Sequence, residues 1–140
     1  MSGAWLLVRH PLPWAAPALA WGLLQVVLLL TPRDSTQAFV LTLGQYTLLI
    51  SAGWVGWQRP WLFGAAAGAG GFATNVALLA GLALRANTPL GPLDAQATAL
   101  GAQAALWATF GAFGGFYGGY LRRRMAAGSA NRSPTRRARR

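Results

Sequence analysis

Acidic side chains are almost missing from this chain of 140 residues, which carries two, Asp34 and Asp94, beside twelve basic residues and one histidine, His10. Paired carboxylates for acid–base work, a nucleophile backed by its base, and a cluster of metal ligands all need groups that are not here. No enzyme chemistry and no cofactor or metal site is expected. Cysteine is absent, which removes disulfides, thiolate ligands and a thiol nucleophile together. Lysine is absent too, so all twelve basic residues are arginines and the formal charge is +10. The apolar runs contain no Asp, Glu, His, Lys or Arg, which weighs against proton-coupled transport.

What remains is apolar. Hydrophobic residues make up 54% of the chain and charged ones 10%, far below the roughly 25% charged of soluble domains. Four runs, at about 14–30, 38–57, 61–84 and 95–121, are each near the ~20 residues that a bilayer crossing needs. Residues 1–13, with Trp5, Arg9 and His10 broken by Pro11 and Pro13, read as an interfacial segment before the first run. Pro17 is assigned to that run's first turn, where its missing N–H costs little. The expected fold is an all-α integral membrane protein, a four-transmembrane-helix bundle made of two similar hairpins. A cleaved signal peptide competes for the first run, with Leu23–Leu30 as its apolar region. Its long, proline-rich and poorly charged start argues against that.

Counting arginines on the two sides of such a bundle orients it. Arg9, Arg59, Arg122, Arg123, Arg124, Arg132, Arg136, Arg137, Arg139 and Arg140 share one side; Arg33 and Arg85 share the other with both aspartates. The positive-inside rule then predicts both termini in the cytoplasm and a plasma (inner) membrane location. Residues 122–140, arginines among Ser, Ala, Gly, Asn and Pro, read as a disordered tail. Its arginines, named above, are candidate contacts for anionic lipid headgroups. Nucleic acid is the weaker partner, because no aromatics interleave with them.

Two patterns inside the runs bear on function. Gly111, Gly115 and Gly119 recur every four residues, Gly114 and Gly118 form a second row, and Gly53, Gly56, Gly64 and Gly68 mark the second and third runs. Such stripped faces let backbones approach closely, a glycine zipper whose partner is a helix of the same chain or of another. A small-residue row at Ala65, Ala69, Ala73, Ala77 and Gly81 offers the third run another close face toward the fourth. The second pattern is one carboxamide at a similar level in each run. Gln25, Gln45, Asn75 and Gln103 each fall roughly 9–14 Å below the same interface at ~1.5 Å per residue. They read as a polar layer along a path, or as hydrogen-bonding glue between helices. Gln45-x7-Gly53-x2-Gly56 and Gln103-x7-Gly111-x2-Gly114 repeat one spacing, with the last glycine within ~20° of the glutamine's face.

The leading expectation is a small polytopic membrane protein with a structural or accessory role, packing through its glycine faces as a homo-oligomer or as a subunit of a larger complex. A homo-oligomeric channel or transporter lined by the four amides is the alternative. A holin-like pore former is the third.

Overall fold

The computed structural model describes residues 3–31, 34–56, 58–88 and 93–130. These residues form helices and no strand: α1 (Gly3–Arg9), α2 (Leu12–Leu30), α3 (Ser35–Val55), α4 (Pro60–Arg85) and α5 (Leu93–Ala130). Three of them, α2, α3 and α4, are long and apolar enough to cross a membrane. The expected fourth run belongs to α5, which does not reach the same apolarity. Its glycines, tyrosines and glutamines dilute it.

The helix ends follow from local chemistry. At the start of the chain, α1 is short, and Arg9 stacks 4.8 Å over the Trp5 ring. The Trp14 indole N–H donates to the Leu7 carbonyl at 3.0 Å, capping one of the orphan carbonyls of α1 from α2. Because α2 already starts at Leu12, Pro17 lies inside the helix and not in its first turn. Asp34, which balances Arg33 on a charge count, acts as the N-cap of α3: its Oδ1 accepts from the Gln37 N–H at 2.7 Å. Pro60 opens α4 at the position where a missing N–H is harmless. Asn87, in the left-handed region at φ 52°, ends it.

One difference concerns the tail. The helix α5 runs on through Arg122, Arg123 and Arg124 to Ala130, whereas composition alone predicts a disordered segment from residue 122. Arg, Met and Ala are good helix formers, so residues 122–127 continue the helix at little cost. Arg132, Arg136, Arg137, Arg139 and Arg140 lie outside the described residues, as do Arg33 and Trp57.

The helices pack around a core of Trp21, Leu49, Ala52, Ala67 and Phe72, with Leu100, Ala104 and Trp107 of α5 against it. Trp21 is wholly buried, and the Trp107 ring meets it edge-on at 4.6 Å. Around this interior the outer faces are apolar: Leu23, Val27, Leu30, Phe39, Val40, Leu43 and Phe113 are each at least half exposed. Such a surface suits hydrocarbon and not water.

Candidate functional site

The glycine rows of α5 are divided between two neighbours in the same chain. Gly111 and Gly115 lie against Gly64 of α4, Gly119 meets the Pro60 ring, and Gly68 lies on the Trp107 carbonyl. Gly114 and Gly118 face Leu49, Ile50 and Trp54 of α3, and Gly53 lies on the backbone of Gly115. A methyl group at Gly64 would come within 2.7 Å of the Gly115 Cα. Gly56 serves differently, leaving room for the Phe63 ring across the α3–α4 turn. These contacts show α4 antiparallel to α5 and α3 parallel to it. The small-residue row is not the close face of α4, since Ala73, Ala77 and Gly81 are exposed. Gly64, Ala67, Gly68 and Gly71 are buried in its place.

A second close approach has no repeat in the sequence to mark it. A methyl group at Gly22 would lie 2.7 Å from the Thr74 Cβ, and one at Gly71 would lie 2.7 Å from the Trp21 ring. Gly22, Gly70 and Gly71 thus let α2 lie against α4, in parallel. Their signal was weak because they do not recur every four residues.

The four amides separate into three situations. The Gln45 Nε2 donates to the Gln25 Oε1, tying α3 to α2, and Gln45 is buried. Asn75 is 8% exposed and its Oδ1 has no hydrogen-bond partner among the described residues. Gln103 is exposed on α5. The expected layer of four is therefore a pair, a lone buried asparagine and an outward glutamine. Gln45 is buried together with Gly56, eleven residues on, but Gln103 is exposed although Gly114, eleven residues on, faces Leu49 of α3, so the repeated spacing places equivalent amides differently. Hydroxyls raise no such question: Thr42, Thr47, Thr74 and Thr109 each donate to a carbonyl of their own helix at 2.8–2.9 Å.

The Gln25–Gln45 bond sets an expected result. Gln45→Leu alone strands the Gln25 carboxamide and should cost about 1–3 kcal/mol, whereas the double Gln25→Leu/Gln45→Leu variant should recover most of that. A double-mutant cycle by denaturant titration in detergent measures the coupling, expected near ~1 kcal/mol. Strictly additive losses would mean the bond is not formed.

The parallel and antiparallel pairings collect the arginines. The N-terminus of α2, the C-terminus of α3, the N-terminus of α4 and the last turns of α5 meet at one end, so Arg9, Arg59, Arg122, Arg123 and Arg124 lie there. Asp34 and Arg85 stand at the other end. Arg122 is held by a hydrogen bond from its Nη1 to the Trp54 carbonyl at 3.1 Å, one of the orphan carbonyls ending α3.

The chain matches no protein-family model, no curated protein and no solved structure.

Chemically, the described residues hold no group of three or more His, Asp or Glu side chains that could take a metal ion. The amides offer hydrogen bonds, the glycine faces offer close packing, and the arginine-rich end offers positive charge.

Proposed function

We propose that this chain is a four-span protein of the plasma (inner) membrane, with α5 as the fourth crossing and both termini in the cytoplasm. Its role is structural or accessory: it docks through the outward face of α5 onto another membrane helix, in a second copy or in a larger complex. The shared end of Arg9, Arg59 and Arg122–Arg124 supports the orientation. Trp21, wholly buried on α2, supports retention of the first run.

The docking reading rests on Gln103. At the register set by Gly64 against Gly111 and Gly115, it stands level with Asn75, about 15 Å along α4 from Arg85 at ~1.5 Å per residue. That is near the middle of a hydrocarbon layer ~30 Å thick. A carboxamide facing lipid at that depth loses the hydrogen bonds it makes in water, and a polar group on another helix restores them. Around it Leu106, Phe110, Phe113, Tyr117 and Tyr120, spaced by three and four residues, form a continuous exposed stripe, the seam a partner helix would cover. The glycine rows, already used within the chain, leave this face for a partner.

Native mass spectrometry of the protein extracted in mild detergent tests the reading. A dimer or a stoichiometric foreign subunit is expected, and Gln103→Leu should weaken that assembly about three- to tenfold, in line with ~0.6–1.7 kcal/mol for a hydrogen bond between membrane helices. A monomer at every protein level, or an assembly indifferent to Gln103→Leu, would count against it. Solute flux through liposomes that Gln45→Ala or Asn75→Ala abolishes would put a pore in its place.

A further inference from the structure

The arginine-rich end contains a cavity of about 300 Å³ lined by Gly56, Gln58, Pro60, Gly119, Arg122 and Arg123. Its charge is one-sided. Arg122 is fixed over the end of α3 by its bond to Trp54, and Arg123 projects from the next position of α5. The N-terminus of α4 opens on the same cavity at Pro60. Its N-cap, Arg59, makes no side-chain cap bond, and the first turn has no acidic residue. The positive end of a 26-residue helix and two guanidinium groups therefore converge with no carboxylate among the described residues of that end. An anion with several acceptor oxygens is the complement of this arrangement.

A second cavity says what the anion is attached to. A groove of about 570 Å³ between α4 and α5 is lined by Trp61, Ala112, Phe113 and Phe116, with almost no polar surface. It begins one residue beyond Pro60, which lines the cationic cavity. At 100° per residue, Ala112, Phe116, Gly119 and Arg123 fall within about 60° of one another on α5. The apolar groove and the cationic cavity thus lie end to end along one face of that helix. Trp61, which lines the groove, is exposed, as are Trp54, Tyr117 and Tyr120 toward the same end of the helices, the aromatic composition expected where membrane meets water.

We propose that the two cavities together form a binding site for one anionic phospholipid. The headgroup phosphate sits between Arg122, Arg123 and the Gln58 carboxamide, and an acyl chain lies in the groove beside Trp61 and Phe116. This goes beyond diffuse attraction of a basic surface, because position as well as charge matters: Arg124 carries the same charge one residue on but does not line the cavity. The inference rests on the membrane-crossing reading given above.

Native mass spectrometry of the full chain reconstituted with phosphatidylglycerol and phosphatidylcholine tests it. One phosphatidylglycerol per chain should be retained in preference to phosphatidylcholine. Arg123→Gln should weaken that retention about tenfold, the scale of one charge-assisted hydrogen bond, and Arg124→Gln should change it less than about twofold. Phe116→Ala, which leaves every charge in place, should also weaken it. Equal losses for Arg123→Gln and Arg124→Gln would overturn the site in favour of diffuse attraction. Displacement of the lipid by millimolar inorganic phosphate would overturn the lipid as its occupant. The membrane reading fails separately, when reporter fusions at residue 88 and residue 140 report the same compartment.

Discussion

Gly115→Leu is expected to abolish the packed fold. A side chain at this position would run into the Pro60 carbonyl and would start 2.9 Å from the Gly64 Cα and 3.1 Å from the Gly64 nitrogen, while Gly53 of α3 lies on the same residue from the other side. Overpacking among side chains costs about 1–3 kcal/mol because they can rotate away. Here the obstacles are backbone atoms of α4, at Pro60 and Gly64, so relief requires α5 to separate from α4, and the loss should exceed ~3 kcal/mol. Gly101, on the same helix, has nothing within 4 Å of an added Cβ, and Gly101→Ala should be neutral or should stabilise by about 0.5–1 kcal/mol through helix propensity alone. Denaturant titration followed by tryptophan fluorescence in detergent compares the two. A wild-type midpoint for Gly115→Leu would mean that α5 does not dock on α4 and α3 by its glycines.

Trp21→Ala should be the most damaging truncation of a side chain, at about 3 kcal/mol. Trp21 is fully buried, lies over Gly71 and holds the edge of Trp107. In water such a truncation costs about 3–5 kcal/mol, part of it transfer out of solvent. Inside a bilayer the separated helices face hydrocarbon, so the transfer part shrinks and lost packing dominates; the lower figure is therefore the appropriate one. Leu106→Ala, at a half-exposed position, should change stability by less than about 0.5 kcal/mol. A Trp21→Ala protein as stable as the parent would place the core elsewhere.

The features legible in the sequence are those that depend on one helix at a time. Apolar runs and their flanking polar loops locate α2, α3 and α4 within a few residues, because a helix in lipid is bounded by what lipid will accept. The rows Gly111/Gly115/Gly119 and Gly114/Gly118 are equally visible, since their spacing is that of the helix itself. Which helix each row meets depends on tilt and rotation, and neither is written in spacing. The amides make the same point. Their depth follows from counting residues, yet Gln25 and Gln45 meet, Asn75 is enclosed with no partner for its Oδ1 among the described residues, and Gln103 turns outward. Gly22 and Gly71 stayed hidden because a single close crossing needs no repeat. The cationic cavity was hidden for a related reason, as Gln58 and Pro60 lie far along the chain from Arg122 and Arg123.

The Gly64–Gly111–Gly115 junction has an entropic consequence. Leucine or methionine at a helix contact must be frozen into one rotamer when the contact forms, at up to about 1–2 kcal/mol per side chain, whereas glycine has no side-chain rotamer to lose. Once α4 and α5 are helical, bringing them together therefore orders almost nothing further at that crossing. The van der Waals attraction between two bare backbones is kept nearly whole, and a contact of a few residues suffices to join them.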